Sequence, residues 1–134
     1  MKKYIYPAIF EFATDGITVR FPDLPGVITE GDTIDQAHEM AVEALGEYIE
    51  LALEGKEQLY EPTHIKDIKL TSDAEQKALI AVDMNQWLKK YSQASIRKNV
   101  SIPIWLNEKV QEYDVNVSAV LKSALIDYIA KIEK

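Results

Sequence analysis

From Tyr4 to Phe12 the apolar positions recur at every second place. Tyr4, Tyr6, Ala8, Phe10 and Phe12 line one face, with Ile5, Ile9 and Glu11 on the other, which predicts a strand. Pro7 has no N–H to give to a ladder, so this strand is expected at a sheet edge or with a bulge at that point. Thr14-Asp15-Gly16 follows, and an Asp-Gly pair between alternating runs is a strong hairpin signal. A second strand is predicted over 17–21, with Ile17, Val19 and Phe21 inward and Thr18 and Arg20 outward. Pro22-Asp23-Leu24-Pro25-Gly26 makes a stiff turn into a short third strand over 27–30.

The period then changes. Thr33 and Gln36 fit a capping box, and Gly55 is a natural stop, so a helix is predicted from there to about Glu54. Ile34, Ala37, Ala41, Ala44, Leu45, Tyr48, Leu51 and Ala52 form its apolar stripe, and Glu39, Glu43, Glu47, Glu50 and Glu54 the opposite side. Like charges at i,i+4 cost a helix a few tenths of a kcal/mol per pair. A solvated face explains most of that acidic stripe, and the tolerated repulsion raises the case for a basic partner. Residues 56–72 read as a loop with a short strand at 65–70, closed by a turn at Thr71-Ser72-Asp73. Ala78-Leu79-Ile80-Ala81-Val82 is a continuous apolar run, which suits a strand buried on both faces. Asp83 or Asn85 then caps a short helix through Trp87 to about Tyr91.

Small polar residues at Ser92-Gln93-Ala94-Ser95 place a linker at 92–96, dividing the chain into residues 1–91 and 97–134. The order β-β-β-α-β makes the first part an antiparallel α+β domain, partly like a double-stranded-RNA-binding or RNase H layer. In the second part Val100 and Ile102 alternate with Arg97, Asn99 and Ser101, a strand with one polar face, and Pro103 suits the first turn of a helix. Trp105, Leu106, Val110 and Tyr113 make one short helix. Asn116 caps another, with Val117, Val120, Leu121, Ala124, Leu125, Tyr128, Ile129 and Ile132 on its apolar side. One strand and two short helices are too little to bury a core, and a lone strand leaves its backbone groups unpaired. Two copies pairing their strands across a two-fold axis would remove both problems. The tail is therefore expected to dimerise.

Charge sharpens the division. The net charge of −7 argues against coating nucleic acid through bulk electrostatics. Yet residues 30, 32, 35, 39, 43, 47, 50, 54, 57 and 61 are acids against the single base Lys56. Residues 89, 90, 97, 98 and 109 are bases against Glu108 alone in that stretch. Two partners of opposite charge are the economical reading. At 134 residues and 47% apolar, the chain has room for one domain and an appended module. No apolar run reaches membrane-span length, and Met1-Lys2-Lys3 leads straight into a strand pattern; without cysteine, a cytoplasmic protein is expected.

Catalytic patterns are absent. His38 lies within the acidic helix and His64 beside Pro62, with no HExxH spacing and no cysteine, so neither a metal site nor a cofactor is expected. GxSxG, GxxxxGK[ST] and GxGxxG are also missing, and the chain reads as a non-enzyme. Arg97, Asn99 and Ser101 at i, i+2, i+4 are what a groove-facing strand needs: Arg97 for guanine, Asn99 for adenine, Ser101 for either role. Lys98 adds charge, and the exposed N–H groups at Val117, Ser118 and Ala119 after the Asn116 cap form a ready phosphate site. On its own, a strand of this kind is more often a wet edge. Local positive charge, forced dimerisation and the capped helix reverse that preference. An RNA-binding module is the alternative reading, and phosphate repulsion by the acidic helix weighs against it.

The stretch KNVSIPIWL followed by NVSAVLKSAL resembles the ribbon-helix-helix family of DNA-binding proteins. The front, through YPAIF, DGITVRFPDLPGVITEGDT and AHEMAVEALGEYIELALEG, resembles the HicB antitoxin family, and together the two span nearly the whole chain. The resemblance implies that the N-terminal domain neutralises HicA, a small basic mRNA-cleaving toxin, while the C-terminal module represses the shared operon. It places Arg97, Lys98, Asn99, Ser101, Asn116, Val117 and Ser118 on operator DNA. Toxin contact is expected at Phe21, Asp23, Leu24, Glu39, Glu43 and Glu47, with the chain a homodimer or a higher oligomer. Ser101 stands where many ribbon-helix-helix proteins carry a longer basic side chain, which implies modest operator affinity.

Overall fold

In the computed structural model, residues 3–92 and 95–133 are described. The chain divides into two compact units between Ala94 and Ser95. Met1 and Lys2 of the strand approach, and Gln93 and Ala94 of the expected linker, lie outside the described residues.

The first unit is a four-stranded antiparallel sheet in the order β3-β2-β1-β4, with α1 packed on one face. Its elements are β1 (Lys3–Ala13), β2 (Gly16–Arg20), β3 (Ile28–Gly31), α1 (Ile34–Leu53), β4 (Glu75–Asp83) and α2 (Met84–Tyr91). The register sets Tyr6 opposite Ile80 and Phe10 opposite Val19, so the even positions of β1 and β4 and the odd positions of β2 share one face. That face supplies Tyr6, Ala8, Phe10, Ile17, Val19, Ile80 and Val82 to the core. Ala37, Ala41, Leu45, Tyr48 and Ile49 of α1 meet them, closed by Phe21 and Leu24 from the turn and by Met84 and Trp87 from α2. Thr33 Oγ1 accepts from Gln36 N at 3.1 Å while Gln36 Oε1 accepts from Asp32 N at 2.6 Å, a capping box shifted back by one residue. Gly55, at φ +79°, ends the helix where a side chain would be strained.

Several expectations are corrected. Strand β1 is central, paired with both β2 and β4. Pro7 is tolerated because the ladder to β2 covers only Ile9–Ala13, leaving β4 as its one neighbour at that level. Strand β4 is an edge strand whose apolar run is covered on one face only: Ile80 and Val82 are buried, while Leu79 is 53% exposed. Its continuous apolar run hid an alternation. Residues 65–70 form no strand; Ile65–Asp67 is a 3-10 turn whose start is capped by His64. Ile34 lies outside the buried stripe, and Phe12 projects past the sheet's packed part.

The long connection from α1 to β4 is tied to the sheet by side chains. Tyr48 Oη donates to the Gln58 carbonyl at 2.6 Å, and Tyr6 Oη donates to that of Tyr60. Burial, reinforced by Glu61 and Asp23, pushes the Tyr6 phenol up, so it stays a protonated donor. On the far face Lys77 Nζ donates to the Ile68 carbonyl at 3.0 Å, and Arg20 pairs with the buried Glu75 at 2.7 Å. Hydrogen bonds from the Thr71 backbone, and then from Arg20, hold the Glu75 carboxyl below its ordinary value despite burial.

The second unit holds α3 (Ile104–Glu112) and α4 (Val117–Ile132), joined by a turn in which Asp114 has φ +51°. Asn116 Oδ1 accepts from Ala119 N at 3.1 Å and caps α4. Pro103 is the residue preceding the first turn of α3. Residues 95–103 carry no strand in the single chain. The cause is elementary: a ladder needs a second strand, and this unit contains none. None of the described residues from 95 to 133 is buried.

Candidate functional site

Two surfaces stand out, one on each unit. On the first, α1 turns its acids outward, with Glu39, Glu47 and Glu54 exposed. Glu43 and Glu50 are half-buried instead of lying opposite the stripe. Helix α2 causes the difference, because it packs against α1 at Gly46, between them. A Cβ at Gly46 would stand 2.1 Å from Trp87 Nε1, so only glycine lets the indole approach the helix there. The resulting cleft, about 220 Å3, is bordered by Glu43, Glu47 and Glu50 on α1 and by Trp87 and Tyr91 on α2.

The proline-rich turn is built differently from an open contact loop. Phe21 and Leu24 are core residues, 3% and 1% exposed, so their side chains offer no contact surface in the free domain. Asp23 is half-buried and accepts from Thr63 N at 2.8 Å, which fastens the long connection to the turn. Glu39, Glu43 and Glu47 are the expected toxin-facing residues that the fold gathers along one helix.

On the second unit Arg97, Lys98, Asn99 and Ser101 are all exposed in the unpaired segment. Asn116 Oδ1 accepts from Ala119 N, so that N–H is taken up by the cap and is not free for a phosphate, and Val117 and Ser118 are the first helical residues. Around them lies unusual apolar exposure: Ile104 at 81%, Trp105 at 65%, Tyr128 at 64% and Ile132 at 62%. Single exposed apolar residues are ordinary, but a unit that buries none is not a finished fold.

The histidines are dispersed. His64 Nδ1 accepts from Lys66 N at 3.4 Å in its 3-10 turn, and His38 is exposed on α1. Among the described residues no group of three histidines or carboxylates is placed to hold a metal ion, and no helix is long and apolar enough to cross a membrane.

Comparison with known proteins matches residues 6–130 to the family described as the HicB_like antitoxin of bacterial toxin-antitoxin systems. The match runs through both units. The chain belongs to the HicB-like antitoxin family. It is similar to a toxin-antitoxin complex from Streptococcus pneumoniae, at 27% identity and a TM-score of 0.58 over 95% of this chain and 99% of that one. The antitoxin HicB of Burkholderia pseudomallei is also similar, at 26% identity and a TM-score of 0.51 over 93% of this chain and 97% of that one. A 14.9 kDa protein in the rep-hol intergenic region of Haemophilus phage HP1 (strain HP1c1) is 28% identical over 109 residues, 81% of this chain and 80% of its own length.

For a HicB-like antitoxin, the antiparallel sheet with its helices is the expected α+β architecture. Sequence reasoning did not single out Trp87, Tyr91 and Glu50 as a group. One signal pointed there: a glycine inside a strong helix lowers its stability and usually has a packing reason. Gly46 carries that signal, but only the fold shows which side chain uses the space.

Proposed function

We propose that this antitoxin neutralises a small basic RNA-cleaving toxin of the HicA kind through the acidic face of α1, and represses its own operon as a dimer through the C-terminal unit. The toxin reading is supported by the family match and by the Streptococcus pneumoniae neighbour, whose structure is of a toxin-antitoxin complex. A line of carboxylates at Glu39, Glu43 and Glu47, without a cation paired to any of them among the described residues, matches a basic protein. The protein would act in the cytoplasm by occlusion and without catalysis of its own.

The observation that carries the second half is the unburied C-terminal unit. Its segment 97–103 is in neither helix nor strand, and its helices expose their apolar sides. Pairing with a second copy would complete a two-stranded ribbon with Arg97, Asn99 and Ser101 on one face, in a ribbon-helix-helix arrangement. Lys98 and the α4 N-terminus at Val117 and Ser118 would then hold phosphates.

Co-expression with an adjacent open reading frame for a short basic protein tests the first half: the two should co-purify, and charge reversal at Glu43 and Glu47 should separate them. For the second half, operator binding should weaken steeply with salt, and Arg97→Ala should cost roughly 1–3 kcal/mol if it reads a base edge. A strictly monomeric protein at micromolar concentration would sink the DNA-reading half.

A further inference from the structure

The cleft between α1 and α2 contains two chemical irregularities. Among the described residues, Glu50 Oε2 and Trp87 Nε1 are buried and have no hydrogen-bond partner. Trp87 is only 6% exposed, yet its N–H meets no acceptor among the described residues. Buried polar atoms in folded proteins are nearly always paired, so two orphans bordering one cleft of about 220 Å3 point to something missing from it. The orphans are opposite in kind, an anionic acceptor and a neutral donor.

The surroundings narrow the chemistry. Glu43 and Glu47 border the same cleft as Glu50, and no ion pair among the described residues involves any of the three. The Trp87 and Tyr91 rings stand 5.5 Å apart with a 36° tilt and form an aromatic wall. Lys90 Nζ, which does not border the cleft, sits 5.1 Å from the centre of the Tyr91 ring, a contact in which that ring meets a cation. The carboxylates are not grouped closely enough for a metal ion. What remains is an organic cation with a flat face and several donors.

We propose that the cleft receives an arginine side chain of the basic toxin partner. This rests on the toxin reading above and deepens it. The guanidinium lies against the Trp87–Tyr91 wall and donates to Glu50, with Glu43 and Glu47 closing the charge around it. Lysine fits less well, because a compact ammonium cannot lie flat on a ring while forking to a carboxylate. Gly46 makes the arrangement available, since any side chain there would push the indole away.

The full-length protein, titrated with acetyl-Gly-Ser-Arg-Ser-Gly-amide and with the lysine counterpart, tests the cleft without any toxin. The indole N–H resonance of Trp87 is read, with Trp105→Phe assigning it. The arginine peptide should shift that resonance saturably, the lysine peptide should bind about fivefold or more weakly, and Glu50→Gln should weaken the arginine peptide about tenfold. No shift, an equal response to both peptides, a response to magnesium alone, or an unchanged response in Glu50→Gln overturns the proposal. Affinity for the co-expressed basic partner separates the two readings. If the partner binds Glu50→Gln as tightly as wild type, the cleft proposal falls and the antitoxin reading stands. If the arginine peptide binds as described but no basic partner is found, the cleft stands and the toxin reading falls.

Discussion

The two units solve the burial problem in opposite ways. Residues 3–92 close a core around Leu45, Ile49, Ile80 and Met84, each at 0% exposure. Residues 95–133 bury nothing, although they form two regular helices and Asn116 caps the second. The difference is not one of apolar content, since α4 carries a longer apolar run than α2. It is one of partners: a helix on a sheet has a surface to cover, whereas two short helices without a sheet have only each other. The first unit is thus expected to fold by itself, and the second to fold on association.

The largest effect should come from breaking that association. Leu125→Glu, on the apolar side of α4, should abolish the second unit's cooperative melting transition and leave the first unit's unchanged. In the wild type the second transition should rise in temperature with protein concentration while the first does not; calorimetry at two concentrations checks both. If both transitions ignore concentration, the contrast between the units fails. Leu45→Ala should do the reverse, lowering the first unit's stability by about 2–5 kcal/mol in urea unfolding and leaving dimer affinity intact. Asn116→Ala removes the bond to Ala119 N and should cost the second unit about 1 kcal/mol, visible as a lower midpoint of its transition.

The smallest effect concerns acid. Glu75 is held below its ordinary value of 4.5 in the folded first unit. Its contribution is therefore complete above 4.5 and is lost as pH falls through the lower folded value. The acid-induced fall in the first unit's stability should be shallower in Glu75→Gln, which has no such proton to take up. An identical pH profile for the two proteins would show that the ionised Glu75 contributes nothing to the first unit's stability.

Much of this was legible beforehand because it is local. The hairpin at 14–16, the cap at Thr33, the stop at Gly55 and the Asn116 cap all follow from short-range turn and capping chemistry, and each lies within a residue or two of its expected place. The hairpin shows the margin: Ala13 pairs with Gly16, so the bend falls on Thr14 and Asp15, one residue before the expected Asp-Gly turn. The division into an acidic front and a basic-centred tail was also visible, since charge is counted along the chain. What failed was neighbour order. Pro7 suggested an edge, and Ala78–Val82 suggested a doubly covered strand, yet β1 lies inside the sheet and β4 at its margin.

The order of residues alone settles most helix and strand boundaries, which helix face is apolar, and that the tail lacks enough surface to bury itself. Those properties depend on period and composition, which any stretch of chain carries with it. It takes the fold to make Phe21 and Leu24 core residues and to put Pro7 where β2 has already ended. It also takes the fold to place Gly46 under an indole, with Glu50 beside it. These are meetings between residues tens of positions apart, and the register and packing that bring them together belong to the fold as a whole.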